Sequence, residues 1–458
     1  MANDRRPKAN DQSPTTKPMD PQPERASTTI SLSAYLRLVR VNRNFRRLWL
    51  AQIVSEIGDW FYTLAIYSLL LQLTGRASSV ALALVLQVLP QTLIGPAAGV
   101  INDRVSRKRV MIIADVVRMV VVFAMLLVRS RSTVWLVYPL LLLETLMAAF
   151  FEPARTSVIP NITDREDVLV ANTLSSVTWS VNLLIGASVG GVVAALFGRN
   201  AVFLLNALSF LLSALLIRGM KFDEPHAQAS APLRLRDAID LSPVLDGIRY
   251  VRKDRRLLTV VFAKAGELMI GPSWVLFTVM GSGYFHFHLP RIDPQRTAML
   301  GMSLLLGARG IGAIVGPMFS ARWAGHSDRR LRLGIFFGYL TIGIGYFGLG
   351  WSPNIWIACV CIILAHCGGS TVWVFSTTIL QLNTEDRFRG RVFSADLGFS
   401  MLTIAIGAYV CGFFLDRGVS VQVVACSTGI IMILPALLWA WGMRLRKGTP
   451  ALTTAARG

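Results

Sequence analysis

Charge is scarce in this sequence: 16% of its 458 residues are charged against 53% hydrophobic, for a mean hydropathy of +0.53. A soluble domain carries about 25% charged residues. Too few are present to wet the surface of a folded chain this long, which excludes an ordinary cytosolic enzyme. Cysteine is scarce as well. Cys359, Cys361, Cys367, Cys411 and Cys426 all fall inside apolar runs, where they read as small hydrophobes and not as a disulfide framework. His366 lies among three of them, yet no spacing there matches a zinc site, so no metal is expected. There is no Gly-x-x-x-x-Gly-Lys-Ser/Thr loop for phosphates and no Ser/His/Asp constellation, so direct ATP drive, a cofactor and enzymatic chemistry are not expected. The first 33 residues lack the apolar centre of a secretion signal and read as a disordered polar tail.

What the sequence does hold is a train of apolar runs. About 20 residues cross a bilayer as a helix. Twelve such runs are read, over 47–73, 78–101, 110–128, 134–152, 170–196, 199–219, 257–281, 297–321, 332–350, 354–381, 393–416 and 420–443. Helices are required, because lipid offers backbone N–H and C=O groups no partners. The expected fold is an all-α polytopic membrane protein of twelve transmembrane helices in two six-helix bundles. These cover 34–219 and 257–445, with a central loop over 220–256 and tails at 1–33 and 446–458.

Basic residues outnumber acidic ones 46 to 26. They gather in short runs between spans: Arg104, Arg107, Lys108 and Arg109; Arg329, Arg330 and Arg332; Arg387, Arg389 and Arg391. The positive-inside rule places these runs, the central loop and both termini in the cytoplasm, as expected of a multi-pass protein of the plasma (inner) membrane. Arg129 and Arg131, on an opposite loop, run against that assignment. The excess suits the lipid bilayer's anionic headgroups. Nucleic acid is not an expected partner, since no segment outside the spans is long enough to fold as a reader domain.

The two halves look related. Gly95-Pro96 recurs as Gly316-Pro317, Arg109-Val110 as Arg330-Leu331, and Asn161, Asp164 and Arg165 as Asn383, Asp386 and Arg387. Many secondary transporters are built from such duplicated units. After span two, Gly99, Asp103, Arg104, Arg107 and Lys108 fall at the spacing of Gly-x-Leu-Ala-Asp-Arg-x-Gly-Arg-Lys, and there the chain resembles the major facilitator superfamily. Ile101 and Ser106 depart from the pattern, and Ala324 replaces the acid in the second copy. A negative Asp103 suits a facing helix N-terminus; the resemblance implies that it reaches span eleven near Arg391 and latches the cytoplasmic side. The run Phe151-Glu152-Pro153-Ala154-Arg155, with Ala171-Asn172 beyond it, resembles the branch that includes the enterobactin exporter and macrolide efflux proteins. Glu152, Arg155, Asp164 and Arg165 are candidates for an ion-pair cluster at this gate, as are Asp386 and Arg387 in the second half. Gly186, Gly190 and Gly191 of span five allow close helix packing. They resemble the superfamily's antiporter motif with Ala187 where its proline belongs.

Charges inside spans are costly and tend to face a cavity or a partner. Glu56 and Asp59 lie three residues apart, on one face of span one. Carboxylates that close disfavour joint ionisation, which makes them the proton-coupling candidates. Candidates for a substrate cavity are Glu144 in span four, Asn182 in span five, Lys264 and Glu267 in span seven, and Arg309 in span eight. Lys264 and Glu267 read as a self-paired couple, Asp115 and Arg118 as a local structural pair, and Arg309 as a lone cation in need of a counter-charge or an anionic substrate. The resemblance implies a monomeric secondary active transporter working by alternating access: an antiporter that exports small amphipathic molecules, such as drugs or siderophores, against inward-flowing protons. A lysophospholipid or other lipid transporter of the same fold is the alternative, and a non-transporting membrane receptor a lesser one.

Overall fold

The computed structural model describes residues 32–164, 167–224, 242–253, 255–285, 294–325, 327–384 and 389–445. The described residues are helical nearly throughout and contain no strand. A short helix α1 (Leu32–Val41) precedes α2 (Arg43–Thr74), α3 (Ala77–Arg104), α4 (Arg107–Ala124), α5 (Val137–Ile162), α6 (Val168–Phe197) and α7 (Arg199–Arg218). After the central loop come α8 (Ser242–Lys253), α9 (Arg255–Ala263) and α10 (Ile270–Val279), then α11 (Pro294–Ala324), α12 (Asp328–Gly350), α13 (Ile355–Asn383), α14 (Arg389–Asp416), α15 (Val421–Ile431) and α16 (Ile433–Leu445).

Local sequence sets the ends of these rods. Asn42, Ser106, Ser327, Asn354 and Ser420 each accept a backbone N–H from the first turn of the helix they precede, the usual means of satisfying an orphan donor. Gly75 closes α2 at φ +68°, its N–H bonded to Leu71, so that α3 starts two residues later. The helices are patterned for oil outside and polarity within. On α7, Leu204, Leu208, Leu211 and Leu215 are exposed while Asn206, Ser209 and Ser213 are buried.

Ten of the twelve expected spans are helices long and apolar enough to cross a membrane. The two that fall short are span one and span seven, the first long segment of each half. Helix α2 has 32 residues, about 48 Å at 1.5 Å per residue. Its length suffices, and its apolarity is diluted by Gln52, Glu56, Asp59 and Gln72. Span seven is broken into pieces. Helix α9 gives way to a 3₁₀ stretch, Lys264–Met269, and α10 ends in a π turn, Met280–Tyr284.

The halves meet along two seams. Helix α6 lies against α11, where Gly191 faces Ser303, Ser188 faces Gly307 and Leu184 faces Gly310. Helix α3 lies against α14, with Gly412 on Ser78 and Ala81. Of the other span-five glycines, Gly186 packs on Trp60 and Gly190 on Phe61, both on α2 of the same half. One helix thus uses small residues toward two neighbours. A methyl at Gly191 would meet the Ser303 side chain and come within 2.7 Å of the Met299 carbonyl, whereas one at Gly95 meets nothing within 4 Å. Gly191→Ala is expected to destabilise the protein by about 1–3 kcal/mol. Gly95→Ala should be neutral or better. Thermal unfolding of both variants in detergent checks the contrast.

Candidate functional site

The first half carries a set of charges at the level where α2, α4 and α5 cross. Arg118 of α4 is its centre. Its Nη2 lies 2.8 Å from Asp59 Oδ2 and 2.9 Å from Glu144 Oε1, and its Nη1 lies 3.9 Å from Asp115 Oδ1. Nε donates to the same Glu144 oxygen at 2.9 Å, and the guanidinium stands 4.0 Å from the centroid of the Phe210 ring. Asp115 is tied down a second time by the Ser213 hydroxyl at 2.6 Å. The expected local pair of Asp115 and Arg118 is therefore the weakest contact of a larger cluster. Arg118 binds across helices first, to residues 59 and 26 positions away along the chain.

Glu56 is held differently. Gln52 donates to its Oε1 at 2.8 Å and Asn182 of α6 to its Oε2 at 2.9 Å. The oxygen of Gln52 accepts from Arg155 at 3.0 Å, and Arg155 pairs with Glu152 at 2.7 Å. The chain Glu152–Arg155–Gln52–Glu56–Asn182 thus links α5, α2 and α6. A cavity of 370 Å³ opens between these groups, and Glu56, Asp59, Glu144, Glu152, Trp60 and Trp179 are among its walls. Four carboxylates share two guanidiniums, Asp59, Asp115 and Glu144 on Arg118 and Glu152 on Arg155, while Glu56 is held by the amides of Gln52 and Asn182. Asp59 Oδ1 is buried without a hydrogen-bond partner. Such a site can take up protons or a cationic group.

The second half places its charges otherwise. Lys264 has a partner on another helix. It is buried against Asp396 of α14 and sits 4.4 Å from the Trp373 ring centroid. The side chain of Glu267, the expected partner of Lys264, lies outside the described residues. Arg309 of α11 rests 4.4 Å from the centroid of Trp274. Trp274 in turn stacks on Trp60 of the first half, with centroids 6.0 Å apart and planes 6° from parallel.

The loop after α3 is fastened within its own half. Arg107 donates to the Asn102 and Ser157 carbonyls at 3.2 and 2.9 Å, and Lys108 Nζ to the Met220 carbonyl at 2.6 Å. Glu224 accepts from the Ser106 hydroxyl and the Lys108 N–H. Arg104 is half-buried, and Asp164 is exposed beyond α5 without an ion pair among the described residues. The side chains of Gly99's neighbour Asp103 and of Arg391, together with Arg165, Asp386 and Arg387, lie outside the described residues. At the opposite end of the molecule, Asp416 closing α14 accepts from Ala77 N–H at 2.6 Å and Ser78 N–H at 3.2 Å, the first turn of α3. Sequence reasoning passed over this acid and Asp396. Asp416 follows directly on an apolar run, as a helix-end charge does, which was the available signal. No group of His, Cys, Asp and Glu among the described residues is arranged to hold a metal.

Removing Arg118 strands three carboxylates. Breaking a buried pair from one side costs about 3–5 kcal/mol. Arg118→Leu should therefore lower the unfolding temperature in detergent sharply, and adding Asp59→Asn with Glu144→Gln should restore part of the loss.

The chain matches the transmembrane secretion effector family over residues 38–456. It is 24% identical over 430 residues to an uncharacterized MFS-type transporter of Bacillus subtilis (strain 168), YfiS, covering 91% of this chain and 97% of that protein. To macrolide efflux protein A of Streptococcus pyogenes it is 23% identical over 395 residues, covering 85% and 94%. To a putative bacilysin exporter, BacE, of Bacillus amyloliquefaciens it is 22% identical over 319 residues, covering 68% and 74%. Among solved structures, the nucleoside transporter NupG superposes with a TM-score of 0.69 at 10% identity, over 87% of this chain and 99% of its own. A POT family transporter in complex with 5-aminolevulinic acid does so with the same TM-score and identity, over 89% and 97%. Helical spans, charged cavity and family match agree: this chain is a multi-pass membrane transporter, not an enzyme, and it belongs to the transmembrane secretion effector family of the major facilitator type.

Proposed function

We propose that the chain exports amphipathic organic compounds by alternating access, in exchange for protons taken up at Glu56 and Asp59. The observation that carries this reading is the surplus of cavity-facing acid: Glu56 and Asp59 both line the cavity, and Asp59 keeps one buried oxygen unpartnered. Uncompensated charge is expensive in a bilayer, so these groups favour occupancy by a proton or a cationic cargo, one at a time. That competition is the basis of exchange. The export direction is supported by the relatives named for macrolide efflux and bacilysin export.

In this cycle a carboxylate of α2 releases its proton on the cytoplasmic side, cargo enters, the halves rock, and reprotonation from outside displaces the cargo. The end bearing both termini faces the cytoplasm, and the loop of Gly99, Asp103, Arg104, Arg107 and Lys108 closes against α14 on that side. Asp416, bonded across the halves to the start of α3, fastens the other end.

In proteoliposomes, Glu56→Gln and Asp59→Asn are expected to reduce movement of rhodamine B, an amphiphile with a cationic and an acidic end, driven by a pH gradient at least tenfold while sparing counterflow exchange. Gradient-driven transport at wild-type rate in both variants sinks the coupling. A charged cap on a helix N-terminus is worth about 1–2 kcal/mol. Asp416→Ala should accordingly shift the populations measured between spin labels at positions 76 and 417 roughly tenfold toward the longer distance.

A further inference from the structure

We propose that Arg309 seats an acidic group of the cargo, so that the transported compound is an amphiphile carrying a carboxylate or phosphate. This rests on the reading of the chain as an exporter and adds the chemical class of what it exports.

Arg118, Arg155 and Lys264 each meet a carboxylate. Arg309 meets none among the described residues. Its polar contact is Ser273 Oγ, 3.5 Å from Nη1, and its face is covered by Trp274. The other ionisable side chains about it are Tyr67 of α2, Tyr346 of α12 and His366 of α13, and none of them is an acid. A guanidinium presents five N–H donors in a planar fork that fits carboxylate and phosphate oxygens two at a time. One hydroxyl and one indole face leave most of that fork unused, in a setting where a cation without an anion is costly.

The position of Arg309 relative to the cavity gives it a role. Trp60 lines the cavity beside Glu56 and Asp59, and its ring lies parallel to that of Trp274 across the meeting of the two halves. The order is therefore acid, indole, indole, guanidinium: a negative pole in the first half and a positive pole in the second. When the halves rock, the two indoles part and the poles border one path. A flat or greasy body fits between the rings, with a cationic end toward the carboxylates and an acidic end on Arg309. The same positive pole serves the carboxylate of a drug-like solute or the phosphate of a lysolipid.

The test uses the full chain with its five cysteines replaced and Ser273→Cys introduced beside Arg309. Its thiol is labelled with an anionic methanethiosulfonate (sulfonatoethyl) and with a cationic one (trimethylammonioethyl), each rate scaled to a free thiol. The expected result is labelling at least tenfold faster with the anionic reagent. That preference should be lost in Arg309→Gln and Arg309→Met and kept in Arg309→Lys. A thiol that neither reagent reaches, equal rates, or a preference that survives both neutral variants overturns the proposal.

Protection assays then identify the source of the oxyanion. Rhodamine B is compared with its ethyl ester, and lysophosphatidylglycerol with monoacylglycerol. Protection by an acid and not by its neutral match supports the site and tells drug-like cargo from lipid. Protection by neither acid, or equally by the neutral matches, overturns it. Labelling preference does not depend on Glu56 or Asp59, so a failure of proton coupling leaves this readout intact, and the converse holds.

Discussion

Arg118 stands where α2, α4 and α5 cross because Asp59, Glu144 and Asp115 surround it, and the three helices are held in register by the need to keep that guanidinium satisfied. In water such a cluster contributes little; away from water each partner is indispensable to the others. The cavity follows from the same arrangement. Asp59 turns one oxygen to Arg118 and leaves the other unbonded, while Glu56, one helical turn earlier, is steadied only by amides. Two neighbouring acids of one helix thus have different duties, the first tethered to an ion pair and the second held by groups that tolerate either protonation state.

The halves share an outline and differ in content. The first concentrates acid around its cavity. The second contributes the buried pair of Lys264 and Asp396 and Arg309, which rests on Trp274 and meets no carboxylate among the described residues. Divergent charge lets each half present its own chemistry at the seam, where Trp60 and Trp274 stack. Glycines in α6 and α14 bring the halves into contact without adding polar groups of their own.

Much of this was legible beforehand, and the reason is physical. Lipid leaves a chain few options, so runs of about 20 apolar residues announce helices, and a carboxylate such as Glu56 or Asp59 inside one announces a polar lining, here that of a cavity. Partner choice was not legible, because it depends on how each helix is rotated about its axis. Asp115 and Arg118 are neighbours by spacing, yet Arg118 turns toward Asp59 and Glu144. Lys264 meets Asp396 of α14, 132 positions away along the chain. Asp416 was overlooked because its partner is not a side chain at all but the free N–H groups of Ala77 and Ser78, which no residue type advertises.

The interruption of span seven has a mechanical corollary. An unbroken α-helix such as α2 resists bending, since every turn is braced by the next. The corresponding segment of the second half passes from α to 3₁₀ to α to π within Arg255–Tyr284, and each change of pitch is a joint with weaker bracing. The leading segments of the two halves are therefore unequal in stiffness: one is a girder that carries the acids at fixed spacing, the other a jointed arm on which Trp274 sits between two changes of pitch.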